Sequence, residues 1–155
     1  VSIAVPALAP GLVYTFRFDV ASDVGVSAIT QRVSANEPPS GGSVVVSPLT
    51  GVAADTDFTI DAGGGWVDTD LPLRYLFGAI VNGDAPGSVL TQSAVTTPTA
   101  TVLLPVGSVS CVAYVVDALG STTTAAAPAV DAALPGVPVV DLPTWVSARV
   151  SSLVT

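Results

Sequence analysis

The chain has 155 residues, half of them hydrophobic and 10% charged, with four Arg against twelve acidic residues and no His, Lys or Met. Without imidazole there is no Ser-His-Asp or Cys-His relay and no His-ligated zinc; without Lys there is no Schiff base and no phosphate-loop ammonium. The formal charge of −8 repels phosphate backbones, which excludes nucleic acid as a partner, and the missing reagents argue against an enzyme. The mean hydropathy of +0.70 does not come from a spanning helix, because the long uncharged stretch 85–116 is broken by Pro86, Pro98 and Pro105. It comes from 28 Val and 22 Ala, and with 16 Thr, 14 Gly and 13 Pro these make strands separated by turns. The fold class expected is all-β.

In chain order, Leu8-Ala9-Pro10-Gly11 precedes Tyr14, Phe16, Phe18 and Val20 at strict alternation, and Ser22-Asp23-Val24-Gly25 turns into a second stretch ending at Asn36. A Val-rich run, Ser43 to Ser47, closes at Pro48 and a Thr50-Gly51 turn. Asp57 to Ala62 places Phe58, Ile60 and Ala62 on one face, and Gly63-Gly64-Gly65 reads as a flexible corner. Leu73 to Val81 follows with Tyr75, Phe77 and Ala79 in register, then a turn at 82–87 and shorter strands at Val89–Gln92 and Thr99–Leu103. Leu104-Pro105-Val106-Gly107 then repeats the opening plan: Val109, Cys111, Ala113 and Val115 alternate, and Asp117-Ala118-Leu119-Gly120 turns into a stretch ending at Asp131. The Gly-to-Gly spacings, Gly11 to Gly25 and Gly107 to Gly120, are 14 and 13 residues, so each copy is a two-stranded hairpin.

A hairpin recurring after about 95 residues implies a repeating unit of roughly that length, the size of an immunoglobulin-like or fibronectin-III-like β-sandwich of about seven strands. Residues 1–36 are then the C-terminal strands of an upstream module, 37–133 a complete module, and 134–155 a linker and the start of a following element. Opening at Val1, the sequence reads as a piece of a longer chain. In the last segment, Asp141-Leu142-Pro143 precedes Val146, Val150 and Leu153 at helical spacing, so 141–155 is either a short helix or an opening strand.

The run Asn36-Glu37-Pro38-Pro39-Ser40-Gly41-Gly42, then Val44, Val46, Ser47-Pro48, Gly51, Thr56-Asp57-Phe58-Thr59 and Gly65-Trp66-Val67-Asp68-Thr69-Asp70-Leu71-Pro72-Leu73-Arg74-Tyr75-Leu76-Phe77-Gly78 resembles the REJ module, named for the receptor for egg jelly and found in polycystin-type proteins. The resemblance covers residues 8 to about 131. It implies an extracellular β-sandwich array on a large cell-surface protein, by analogy a ciliary one, working in adhesion or force transmission. The implied partners are other modules of the same or a partner chain, a polycystin-type channel or an extracellular filament. Modules of this type often carry paired cysteines, whereas this chain has Cys111 alone and Ala62 on the strand that would supply its partner.

No catalytic, cofactor or metal residue is assigned. Cys111, at an alternating strand position, reads as a small buried hydrophobe. Asp55, Asp57, Asp61, Asp68 and Asp70 are the candidate oxygen ligands for calcium, a reading not favoured over Asx-type turns at Asp68 and Asp70 and a strand start at Asp55 and Asp57. Trp66 reads as an anchor of its loop on the core; the alternative is a ligand- or carbohydrate-recognition loop made of Trp66, Asp68 and Asp70. Thr96-Thr97-Pro98-Thr99 and Ser121 to Thr124 suit O-linked sugars.

Overall fold

The computed structural model describes residues 4–5, 7–83, 88–89 and 93–136; the helix-or-strand question at 141–155 lies outside them. The described residues hold strands and turns and no helix, so none is long and apolar enough to cross a membrane. The chain divides into two compact units, Val1–Pro38 and Pro39–Thr155.

The first unit is an antiparallel ribbon of β1 (Val13–Ser22) and β2 (Gly25–Ser34), paired without a break from Val13↔Ser34 to Ser22↔Gly25. Gly25 takes φ +150° at the turn, a conformation that side chains resist. The period of two puts Tyr14, Phe16, Phe18 and Val20 on one face with their cross-strand partners Val33, Gln31, Ile29 and Ser27. The opposite face carries Thr15, Arg17, Asp19, Thr30 and Arg32, with Arg17 and Asp19 joined by a 2.9 Å salt bridge.

The second unit contains β3 (Ser43–Ser47), β4 (Thr50–Val52), β5 (Asp57–Gly64), β6 (Arg74–Val81), β7 (Ser88–Val89), β8 (Thr99–Leu103), β9 (Gly107–Val116), β10 (Thr122–Ala126) and β11 (Val130–Ala133). One sheet runs β3-β5-β8; the other runs β4-β11-β9-β6-β7, with β10 also paired to β9. All pairings are antiparallel except β4 with β11. Alternation then fills the space between the sheets. Phe58, Ile60 and Ala62 of β5 are fully buried against Phe77 and Ala79 of β6 and Val109, Cys111, Ala113 and Val115 of β9. Each large side chain so buried contributes roughly 1.5–3 kcal/mol.

Three local expectations are corrected. Thr50-Gly51 is not a turn but part of β4, because Thr50, Gly51 and Val52 pair in parallel with Asp131, Ala132 and Ala133. The triple glycine is not a loose corner: Gly63 and Gly64 extend β5, Gly64 pairs with Ser43, and a Cβ on Gly64 would sit 2.8 Å from Ser43 Oγ. The last strand is split, since β10 ends before Pro128, which has no N–H to donate, and β11 resumes after it on the first residues of β9. With β4 these changes give nine strands among the described residues of this unit, rather than about seven.

Candidate functional site

Four segments meet at one end of the sandwich. Ser40 and Val67 exchange backbone hydrogen bonds, Ser40 N to Val67 O at 3.1 Å and Val67 N to Ser40 O at 2.9 Å, which brings the Pro-Pro-Ser-Gly-Gly run beside the Gly-Trp run. Pro39 is fully buried, and its carbonyl accepts a hydrogen bond from the Thr123 hydroxyl at the start of β10. Gly41 and Gly65 lie in the left-handed region at φ +76° and +73°, conformations that favour glycine.

Trp66 is wedged into this frame. Its indole N–H donates to the Ala62 carbonyl at 2.7 Å, and its half-buried ring packs against the core. The middle of the indole, at the bond its two rings share, lies over Gly42 so closely that a Cβ there would be 2.0 Å from Trp66 Cδ2. The indole N–H and the side of the ring over Gly42 are thus used within the fold.

The acidic residues sort differently from their sequence grouping. The chain returns Asp70 N to Asp68 Oδ1 at 2.6 Å, an Asx turn. Asp117, fully buried at the end of β9, accepts three backbone N–H groups on Oδ1, from Leu119 at 2.8 Å, Gly120 at 2.6 Å and Ser121 at 2.9 Å. The Ala118 N–H then donates to the Asp70 carbonyl at 2.8 Å, locking the β9–β10 turn onto the β5–β6 loop. Carboxylate oxygens of Asp68, Asp70 and Asp117 come within 4.8 Å of one another. Two ionised carboxylates at that distance repel by about 1 kcal/mol in water and about 3 kcal/mol at an effective dielectric near 20. The backbone donors to Asp68 and Asp117 offset that repulsion.

Asp55, Asp57 and Asp61 stand outside this group. Asp57 is exposed at the start of β5, and Asp61 accepts the Gly63 N–H at 2.7 Å. Asp117 was missed in the sequence because it sits 47 positions after Asp70; a turn-initiating Asp before Ala-Leu-Gly was legible, its neighbours were not. Calcium takes six to eight oxygens, and two of the six carboxylate oxygens here, Asp68 Oδ1 and Asp117 Oδ1, already accept backbone hydrogen bonds. The three carboxylates are nonetheless the residues that would hold a hard cation.

Cys111 lies fully buried among β6 and β9 side chains and Ala62, and burial pushes its thiol up to about 11. It is a protonated core residue. Desolvation likewise raises the Tyr75 phenol above its ordinary value.

These features define an all-β protein whose two-sheet unit closes one end with an internally bonded loop assembly. The model of the REJ domain matches residues 1–154, and the chain belongs to that family, whose domain is typical of the extracellular regions of polycystin-type proteins. The match continues past residue 131 through the last segment, which the motifs alone had left outside the resemblance. No curated protein and no solved structure matches the chain.

Proposed function

We propose that the chain is a non-catalytic structural and adhesion module of a large cell-surface protein, one of a series of immunoglobulin- or fibronectin-III-like sandwiches in a ciliary, polycystin-related setting. The observation that carries this reading is the use made of Trp66: its ring is held by Gly42 and its N–H by the Ala62 carbonyl, so the side chain best suited to stack on a sugar is committed to the fold. The neighbouring carboxylates support the same reading, because Asp68 and Asp117 take backbone N–H groups and the loops they shape are bonded to each other. Ligand-binding loops are drawn from segments that open easily, and loops tied in this way resist such opening. The modules of the same or a partner chain are then its partners, through sheet and loop surfaces.

The test is a titration of the 1–155 chain, carrying Trp145→Phe so that Trp66 is its one tryptophan, and excited where tyrosine does not absorb, with a panel of cell-surface mono- and oligosaccharides. Unchanged Trp66 emission is the expected result. Saturable quenching, together with a calorimetric binding heat that Trp66→Phe abolishes, would replace the structural reading by carbohydrate recognition through Trp66, Asp68 and Asp70.

A further inference from the structure

One face of the β1–β2 ribbon carries its charged side chains, interspersed with Val13, Ala21, Val26 and Ala28; the other carries its aromatic rings and is unfinished. Tyr14, Phe16, Phe18, Val20, Ile29 and Val33 share it, yet Phe18 is 38% exposed, Val20 65% and Ile29 67%. Val5, Phe16, Phe18, Gln31 and Val33 line a shallow groove along it. A two-stranded ribbon standing alone is marginal in water, and a contiguous apolar strip of this kind marks an interaction surface.

What covers such a face is visible in the second unit. The β9–β10 hairpin repeats the same plan, with Val109, Cys111, Ala113 and Val115 in the places of Tyr14, Phe16, Phe18 and Val20, and all four are 0% exposed. Their cover is a second antiparallel sheet, which brings Phe58 and Ile60 of β5 and Val44 and Val46 of β3 into the same core. Sizes are exchanged in the first unit. The ribbon carries the aromatic rings where β9 carries Cys and Ala, so close packing requires small aliphatic side chains opposite Phe16 and Phe18.

Area decides how the cover is attached. Ten paired residues make a strip about 34 Å long and about 10 Å wide. A partner seated on it would bury on the order of 700 Å² counting both sides, short of the roughly 1,200 Å² of a stable association between separate chains. A covalent link makes the same contact sufficient, because the effective concentration of a tethered sheet reaches the millimolar range.

We propose that the apolar face of β1–β2 is the inner face of a half-sandwich, covered by an antiparallel sheet of the same polypeptide that presents small aliphatic residues to Phe16 and Phe18. The serial-module part of the proposed function supplies the tethered sheet; whether the array adheres or bears force does not enter. The test compares the natural full-length polypeptide with the 1–155 chain, labelling Phe18→Cys and Ile29→Cys on the apolar face and Thr15→Cys and Thr30→Cys on the polar face with a charged maleimide. In the full-length polypeptide the two apolar-face cysteines react at least about tenfold more slowly than the polar-face pair, and in the 1–155 chain the four react at similar rates. Equal rates in the full-length polypeptide overturn the proposal. So does protection already present in the monomeric 1–155 chain, which would assign the cover to this chain's own residues, or protection that appears only with concentration and a doubled mass, which would assign it to a second copy. Amide exchange of β1 and β2 in the unsubstituted proteins guards against a ribbon loosened by the substitutions: slower exchange in the full-length polypeptide is expected, and unchanged exchange overturns the proposal. Saccharide binding at Trp66 would leave these rates unaltered, so the two readings fail separately.

Discussion

Replacing Gly42 by Ala puts a methyl carbon 2.0 Å from Trp66 Cδ2, 2.2 Å from Cε2 and 2.5 Å from Cγ. Carbon atoms rest at about 3.5–4.0 Å, so the ring must withdraw by about 1.5 Å, and the 2.7 Å bond from its N–H to the Ala62 carbonyl breaks with it. Overpacking of this kind costs about 1–3 kcal/mol, and the lost hydrogen bond about 1 kcal/mol more. Gly42 is not among the positive-φ glycines, so Ala adds no backbone strain there and returns up to about 1 kcal/mol by stiffening the unfolded chain. The net expectation is a destabilisation of about 2 kcal/mol, or a fall in Tm of about 8 °C for a unit the size of Pro39–Thr155. Urea and thermal melts of the 1–155 chain with Trp145→Phe, followed by Trp66 emission and, so that the Trp66→Ala background can be read as well, by far-UV circular dichroism, measure it. Gly136→Ala, whose added Cβ meets nothing within 4 Å, is the matched control. In a Trp66→Ala background the Gly42→Ala change should cost little, because the two positions are coupled by contact. A Gly42→Ala protein within about 0.5 kcal/mol of the parent, with Trp66 emission unchanged, would refute the wedge and with it the anchoring that the proposed function rests on.

Asp117→Ala removes the carboxylate oxygen shared by three backbone donors, of which the Gly120 N–H keeps only the Asp117 carbonyl at 3.3 Å, and is expected to cost on the order of 3 kcal/mol in urea unfolding, with Asp117→Asn, which keeps one carbonyl oxygen, costing about half as much. Millimolar calcium is expected to leave the Tm of the 1–155 chain unchanged. Because a ligand at a hundredfold its Kd stabilises by about 2.7 kcal/mol, a clear rise abolished by Asp68→Asn would assign a cation site to Asp68, Asp70 and Asp117. For Cys111, the thiol is raised from 9.0 to about 11 in the folded protein, so above pH 9 the unfolded chain releases a proton that the folded chain keeps. Its contribution is complete below pH 9 and is lost as pH rises toward 11, by about 1.4 kcal/mol per pH unit; the stability difference between the parent and Cys111→Ala at pH 8 and pH 10 reads it directly.

The sheets of the second unit were legible because alternation is a local property. Phe58, Ile60 and Ala62 fall at every second position, and the pleat sends them to one side whatever lies opposite. The same rule marked Tyr75, Phe77 and Ala79, and the inner face of β9. The strand ends were less legible where a partner decides them. Thr50-Gly51 has turn chemistry, yet β11 lies alongside and makes it a strand; Gly63 and Gly64 lack side chains to declare a strand, yet Ser43 pairs with Gly64.

At the loop end, the Asx turn of Asp68 and Asp70 spans three residues and could be read directly, whereas Asp117 joins them only because β6 and β9 are neighbours, with Arg74 opposite Val116. Trp66 shows the division most plainly. Its neighbours in sequence said that it lay between a glycine run and an apolar strand, and the contact that fixes its role is with Gly42, 24 positions away. The sequence by itself determined the class of fold, the inward faces of its strands and the absence of imidazole and ammonium chemistry, since these depend on residue type and a period of two. The tertiary structure decided which loops touch, which carboxylates gather and which apolar face stands open, because those depend on sheet order and packing, and neither is written at any one position of the chain.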